Sequence, residues 1–357
     1  MVLNRPDLTG LDDQIYQYIL ALEAELKRLE GQSRKPRLSK AEEKEVEPPA
    51  EERFEQAEQP TTIQLITATA GGVGKRTARH LYHRQRRGGM GIFDLDAPEG
   101  DPSAILAMAD ERKNLILITS HGRGFRLPVS ALSAGEVRSR GSTFAAKFNL
   151  PAEEKLAVIL PEEAEGYVAL LSKRGHVRML RHHVFGEHMK PGAQLFEYRT
   201  FGPLAAACWT RGGADLFIAS RSGRAIRFAD RNIPPAGCLG LRLAEGDEAV
   251  GICQVTEESA VLLITADGKA ARRLMSTFSA NKAPGAGGKI AMQTDQLVWA
   301  ACADDVTDLF LLSSLSKVIR FAADEIPAKD GPVQGVIAMN LRNDRVVAAC
   351  ASPSTPF

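Results

Sequence analysis

From Thr61 onward the apolar positions come in short runs cut by turn residues, with no helical periodicity. Six runs head six loose repeats: Gln64–Thr67, Leu115–Thr119, Tyr167–Leu171, Asp215–Ala219, Val261–Thr265 and Asp308–Leu312. A turn residue follows each, at Gly72, Gly122, Gly175, Gly223, Gly268 and, in the sixth, Ser316. A second strand pattern then carries an arginine: Arg76, Arg126, Arg178, Arg227, Arg272 and Arg320, at intervals of 45 to 52 residues. The later half of each unit is a Gly/Pro loop and a further strand pair, clearest at 235–255. Four short strands per repeat predict a propeller blade, and six blades predict an all-β ring. One blade cannot hide its own apolar faces, whereas six arranged radially can, with no long unpaired sheet edge.

The first 60 residues have a different texture. Leu11, Ile15, Tyr18, Leu22, Leu26 and Leu29 fall three and four apart, and Gly31 ends the pattern, which predicts an amphipathic helix over 1–31. An isolated helix of this length is marginal in water, so it is expected to associate, with a second copy, with another protein or with the ring itself. Residues 32–60 are rich in Glu, Lys, Pro and Gln and read as a disordered acidic linker. The ring then occupies 61–357.

Apolar residues make up 44% of the chain and aromatics only 6%, so the core must be aliphatic. The net charge of +1 hides an asymmetry. Residues 1–60 carry 9 Lys/Arg against 14 Asp/Glu, residues 61–214 carry 21 against 14, and residues 215–357 carry 15 against 16. The basic half of the ring, which also holds all seven histidines, hints at an anionic partner. Five widely spaced cysteines without a C-x-x-C argue against a disulfide framework or zinc site and fit a reducing cytoplasm. No signal core and no run of about 18 apolar residues occur, so no membrane role is expected.

The densest chemistry lies at Gln85-Arg86-Arg87-Gly88-Gly89-Met90-Gly91. Two arginines beside three glycines make a cationic loop whose backbone a phosphate could approach closely. A competing motif, Ala70-Gly71-Gly72-Val73-Gly74-Lys75-Arg76-Thr77, imitates a phosphate-binding loop. That chemistry needs Ser or Thr directly after the lysine and a helix beyond it, and Arg76 stands in that place. Nucleotide chemistry is therefore not expected, nor any metal or other cofactor, despite the neighbouring His182, His183 and His188.

The heptamer, Gly74-Lys75-Arg76-Thr77 upstream of it and the six-unit period together resemble the C-terminal domain of DNA gyrase A and its topoisomerase IV relative, over about 62–352. The family's box has lysine where this chain has Met90; Gln85, Arg86, Arg87, Gly88, Gly89 and Gly91 match it. The resemblance implies a six-bladed β-pinwheel that wraps double-stranded DNA around its rim, and a stand-alone relative lacking the DNA-cleaving portion. None of the five tyrosines lies in a context that could supply a cleavage nucleophile, so the chain is expected not to be an enzyme. On this reading the DNA-binding residues are the box (Gln85, Arg86, Arg87, Gly88, Gly89, Gly91), the arginine series (Arg76, Arg126, Arg178, Arg227, Arg272, Arg320) and, beside them, Lys75, Arg123, Arg224, Lys269 and Lys317. Two alternatives stay open: a protein-interaction scaffold, and a split accessory piece that meets a type II topoisomerase through the N-terminal helix.

Overall fold

The computed structural model describes residues 19–20, 22–23, 58–304 and 306–353. The chain divides into two units, Met1–Phe54 and Glu55–Phe357. In the first, Ile19, Leu20, Leu22 and Glu23 are helical; the remainder of the expected helix, and the linker as far as 57, lie outside the described residues.

The second unit is a ring of six blades, antiparallel but for one short parallel pair in the fifth, Arg272–Arg273 beside Ala328–Lys329. The central pair of every blade is a hairpin: Ile63–Thr69 with Val73–Ala78, Asn114–Thr119 with Arg123–Pro128, and Tyr167–Ser172 with His176–Arg181. Asp215–Ser220 with Arg224–Ala229, Ala260–Thr265 with Lys269–Leu274, and Val306–Ser313 with Lys317–Ala322 complete the set. The tight reversals need a left-handed residue, which Gly72, Gly122, Gly175, Gly223 and Gly268 supply. Ser316 adopts the same conformation at φ 59° without glycine's freedom.

The inner strands are Ser103–Asp110, Leu156–Pro161, Leu204–Thr210, Ala249–Val255, Leu297–Cys302 and Val346–Pro353. They pack on one another around the axis and line an apolar channel of about 1410 Å³. Successive residues of each central strand point to opposite faces, and both faces are covered. Leu65 faces the sixth blade and Ile66 the second; Leu262 faces the sixth and Leu263 the fourth. Hence the apolar runs do not alternate with polar residues. The core is six separate clusters, one between each pair of adjacent blades.

The outermost strand of every blade comes from the next repeat. Ser142–Thr143 completes the first blade, Ala193–Gln194 the second and Cys238–Leu239 the third. Lys289–Ile290 completes the fourth and Val336–Ile337 the fifth. Ile92–Phe93, from the first repeat, completes the sixth and closes the ring. Sequence repeat and structural blade are thus out of phase by one strand. Five blades have the expected four strands and the fifth gains another, Ala328–Lys329, but the strand after each Gly/Pro loop pairs with the preceding blade.

Candidate nucleic-acid interface

The glycine-rich heptamer is the clasp of the ring. The Gln85 amide donates to Arg320 O at 2.7 Å, the Gly88 amide to Ala338 O at 2.7 Å, and the Asn340 amide to Gly89 O at 2.9 Å. The Arg87 amide donates to Glu325 Oε2 at 2.9 Å and its Nη1 to Ile337 O at 3.2 Å. Gly91 sits at φ +69°, where a Cβ would lie 2.8 Å from Val318 O. Its glycine is therefore required by the close approach of the sixth blade. Of the glycine amides expected to stand free for a phosphate, that of Gly88 closes the ring and that of Gly89 turns back to Arg86 O at 3.3 Å, which corrects that part of the expectation for both. The side chains of Arg86 and Arg87 remain exposed, with no carboxylate ion-paired to either among the described residues.

The arginine series is not a set of outward cations. In five blades it occupies one register position, opposite Ile66, Ile116, Phe217, Leu262 and Phe310. From there Arg76, Arg227 and Arg320 reach carbonyls of the next repeat. Arg227 is 5% exposed, bonds Asp215 at 2.7 Å and Glu257 at 2.9 Å, and donates to Met275 O at 2.9 Å. Arg320 is 7% exposed, bonds Asp308 at 2.5 Å, and donates to Tyr82 O at 2.9 Å. Arg76 donates to Leu132 O at 3.2 Å and pairs with Glu111 at 3.6 Å; Arg126 pairs with Glu162 at 2.9 Å. Arg272 is half-buried, and its Nε has no partner. Arg178 breaks the pattern: it lies opposite Leu170, one place nearer the turn, and Met179 holds the equivalent position. Its guanidinium faces back to Leu195 O at 2.9 Å. Arg227 and Arg320 are thus corrected from surface cations to buried braces. A signal for this existed in the sequence, since Asp215 and Asp308 stand twelve residues before their arginines at the strand start.

Lys75 is corrected in the same way. It is fully buried, with Nζ 2.8 Å from Asp94 Oδ1, 3.0 Å from Asp94 O and 2.6 Å from Glu136 O. Asp94 also accepts from Tyr82 Oη and Thr67 Oγ1, each at 2.7 Å. Burial, and then the Asp94 charge, push the Tyr82 phenol far above its ordinary value, so it stays a neutral donor. The phosphate-loop look-alike is a hairpin turn entering the strand Val73–Ala78, and only a three-residue 3₁₀ turn follows it. Its lysine ties the clasp strand to the first blade.

Chemistry able to meet a polyanion sits at another repeated position, the first residue after the turn. Its outer-strand partner runs round the ring as Val73↔Thr143, Arg123↔Gln194, His176↔Leu239, Arg224↔Ile290, Lys269↔Ile337 and Lys317↔Phe93. Arg123 is held by Glu154 at 2.8 Å. Lys269 makes an exposed pair with Asp267 at 2.7 Å. Arg224 and Lys317 have no ion-pair partner among the described residues. The clasp stretch 79–93 contains Arg79, Arg84, Arg86 and Arg87 with no Asp or Glu, and 275–291 contains Lys282 and Lys289, again with none. Among the described residues no group of His, Cys, Asp or Glu is placed to hold a metal ion.

The family profile described as "DNA gyrase C-terminal domain, beta-propeller" matches residues 64–101, 113–160, 260–304 and 307–349. The chain is a relative of the DNA gyrase A C-terminal domain. The gyrase A protein of Mycolicibacterium smegmatis is 27% identical over 303 residues, covering 80% of this chain and 36% of that protein. Its Staphylococcus epidermidis counterpart is 26% identical over 301 residues, covering 80% and 34%. The chain thus spans about a third of the length of these gyrase relatives. Among solved structures, "Structure of DNA gyrase A C-terminal domain" superimposes with a TM-score of 0.68 at 22% identity, covering 81% of this chain and 99% of that one. "Crystal structure of the C-terminal domain of DNA topoisomerase IV" follows at 0.57 and 18%, covering 82% and 94%. These two likenesses carry the fold, and the six-bladed gyrase-type ring matches the one expected from the repeats.

Proposed function

We propose that this ring binds duplex DNA along its outer edge, with tolerance of sequence and without cutting it, and bends the duplex around its perimeter. The observation that carries this reading is the exposed pair Arg86 and Arg87 on a clasp stretch devoid of carboxylates. Binding of this kind works by neutralising phosphates and releasing their counterions, so it weakens steeply with salt. Bending a stiff duplex costs about 1–6 kcal/mol over 20–30 base pairs, so contacts must recur along the path. Edge cations on successive blades provide that recurrence. The gyrase kinship supports the same reading, and the cytoplasm, in association with the nucleoid, is the compartment it implies. The test is ligation of nicked plasmid with the full chain present. The trapped linking number is expected to shift in proportion to protein. No gel retardation at micromolar protein and low salt would overturn the proposal.

A second reading is favoured by Leu22, 48% exposed within a helical stretch. Residues 11–30 would then dock the ring onto a type II topoisomerase. Co-purification of that enzyme with the full chain, abolished by Leu22→Asp, supports it; capture unaffected by the substitution overturns it.

A further inference from the structure

The outer strands of the fourth, fifth and sixth blades carry a feature that phosphate neutralisation does not use. Opposite Arg224, Lys269 and Lys317 stand Ile290, Ile337 and Phe93, exposed by 48%, 57% and 42%. A sheet edge is where proteins place charge, proline or a bulge rather than bare apolar side chains. Cation and exposed apolar side chain coincide in these three blades and not in the third, where half-buried Leu239 stands opposite His176. In the first blade the same position holds Val73 and Thr143, and in the second Arg123, already held by Glu154, and Gln194. Neither blade sets a cation opposite an apolar outer-strand residue; Lys269, though paired with Asp267 at 2.7 Å, keeps 40% of its side chain exposed, against 27% for Arg123.

We propose that each of these three pairs is a unit of duplex-DNA contact: the cation meets a phosphate, and the apolar side chain opposite it enters the adjoining minor groove and eases the bend at that point. This rests on the DNA-binding reading above and assigns the bending to particular residues. The spacing decides between partners. A protein partner would want one contiguous apolar patch, whereas these side chains are set a whole blade apart, each beside its own cation. Apolar wedges in the minor groove partly unstack a step and kink the duplex without reading a sequence. The clasp also exposes an apolar side chain, Met90 at 48%, in the same loop as Arg86 and Arg87.

The experiment uses the full chain and an end-labelled duplex of about one persistence length, about 150 base pairs. Bending is read by energy transfer at saturation, and affinity is measured across a salt series. Phe93→Ser/Ile290→Ser/Ile337→Ser should keep the wild-type salt slope but lose about half or more of the bending signal. Arg224→Gln/Lys269→Gln/Lys317→Gln should flatten the slope of log K against log salt by about 2.7, about 0.9 for each lost phosphate contact. Unaltered bending by the serine variant refutes the wedges, and an unaltered slope for the glutamine variant refutes the cations. If the wild type retards no duplex at low salt, the DNA reading itself falls. Single Ile337→Ser, at the most exposed of the three sites, repeats the test should the triple variant melt early.

Discussion

Arg320 and Asp308 face each other across the central hairpin of the sixth blade, Nη2 to Oδ2 at 2.5 Å, with 7% and 1% of their side chains exposed. Arg320 also donates to the carbonyls of Arg79 at 3.3 Å and Tyr82 at 2.9 Å. One guanidinium therefore joins the last blade to the first repeat. Arg320→Ala removes the buried one of Asp308's two cations, leaving Arg84 at 2.8 Å, and frees the two carbonyls of the first repeat, so it should cost about 1.5–3 kcal/mol, the range for hydrogen bonds to a charged group. Arg126→Ala removes a cation paired at 2.9 Å but 27% exposed, and should cost about 0–1 kcal/mol. Urea unfolding of the two variants checks the contrast; equal losses would contradict it.

Lys75→Met leaves the buried Asp94 carboxyl without its cation, and leaves Glu136 O without its lysine donor. A loss of about 3–5 kcal/mol is expected, together with faster amide exchange at Asp94, whose N–H reaches Ser316 O at 2.8 Å. ATP added with Mg²⁺ should give no binding heat in calorimetry, because the lysine that a phosphate would need has no solvent-facing surface. Micromolar ATP affinity would refute this account of the turn.

Met90→Lys places a fifth cation on the carboxylate-free clasp at a site already 48% exposed. Duplex binding should tighten at low salt, and its salt slope should steepen by about 0.9, the yield of one added phosphate contact. A fluorescence titration at several salt concentrations reads both quantities. Stability should change by no more than about 0.5 kcal/mol, since the side chain is on the surface.

Acid should loosen the ring in two stages. Burial, and then the nearby Arg174 charge, hold His176 below its ordinary 6.5. It thus favours the folded state above about pH 6.5, and this contribution is lost as pH falls toward its lowered value. Burial would raise Glu58 and Glu154, but hydrogen bonds from Arg79 and Arg320 to the first, and from Arg123 and Thr119 to the second, outweigh it and hold both below 4.5. Their contribution is present above that pH and declines as pH falls through the lowered folded values. The melting temperature should therefore drop first below about pH 6.5 and again below about pH 4.5. His176→Gln should remove only the first drop.

The turn glycines and the six apolar runs were legible because both answer to local rules. A reversal at positive φ wants glycine, and a strand covered on both faces wants an unbroken aliphatic run. The heptamer was legible as a special place, since three glycines and two arginines rarely fall together by chance packing. Its purpose was only half legible. Gly91 is fixed by Val318 O and the Gly88 amide by Ala338 O, partners more than 200 residues away that no local pattern announces. The arginine series misled for a related reason. Its recurrence every 45 to 52 residues is real, but recurrence alone does not say which side of a strand faces a neighbour. Arg178 and Met179 differ by one position and so point to opposite blades.

By itself, the chain's order of residues determined an all-β ring of six units, an aliphatic core and a clasp rich in arginine and glycine, because short-range stereochemistry and strand periodicity write these directly into it. Tertiary structure alone decided that each blade borrows its outer strand from the next repeat, that Lys75, Arg227 and Arg320 lie inside, and that Arg224, Lys269 and Lys317 line the edge. Those outcomes depend on which strands pair across the ring, and pairing between distant segments is set by the total burial the closed ring achieves, a quantity no single segment carries.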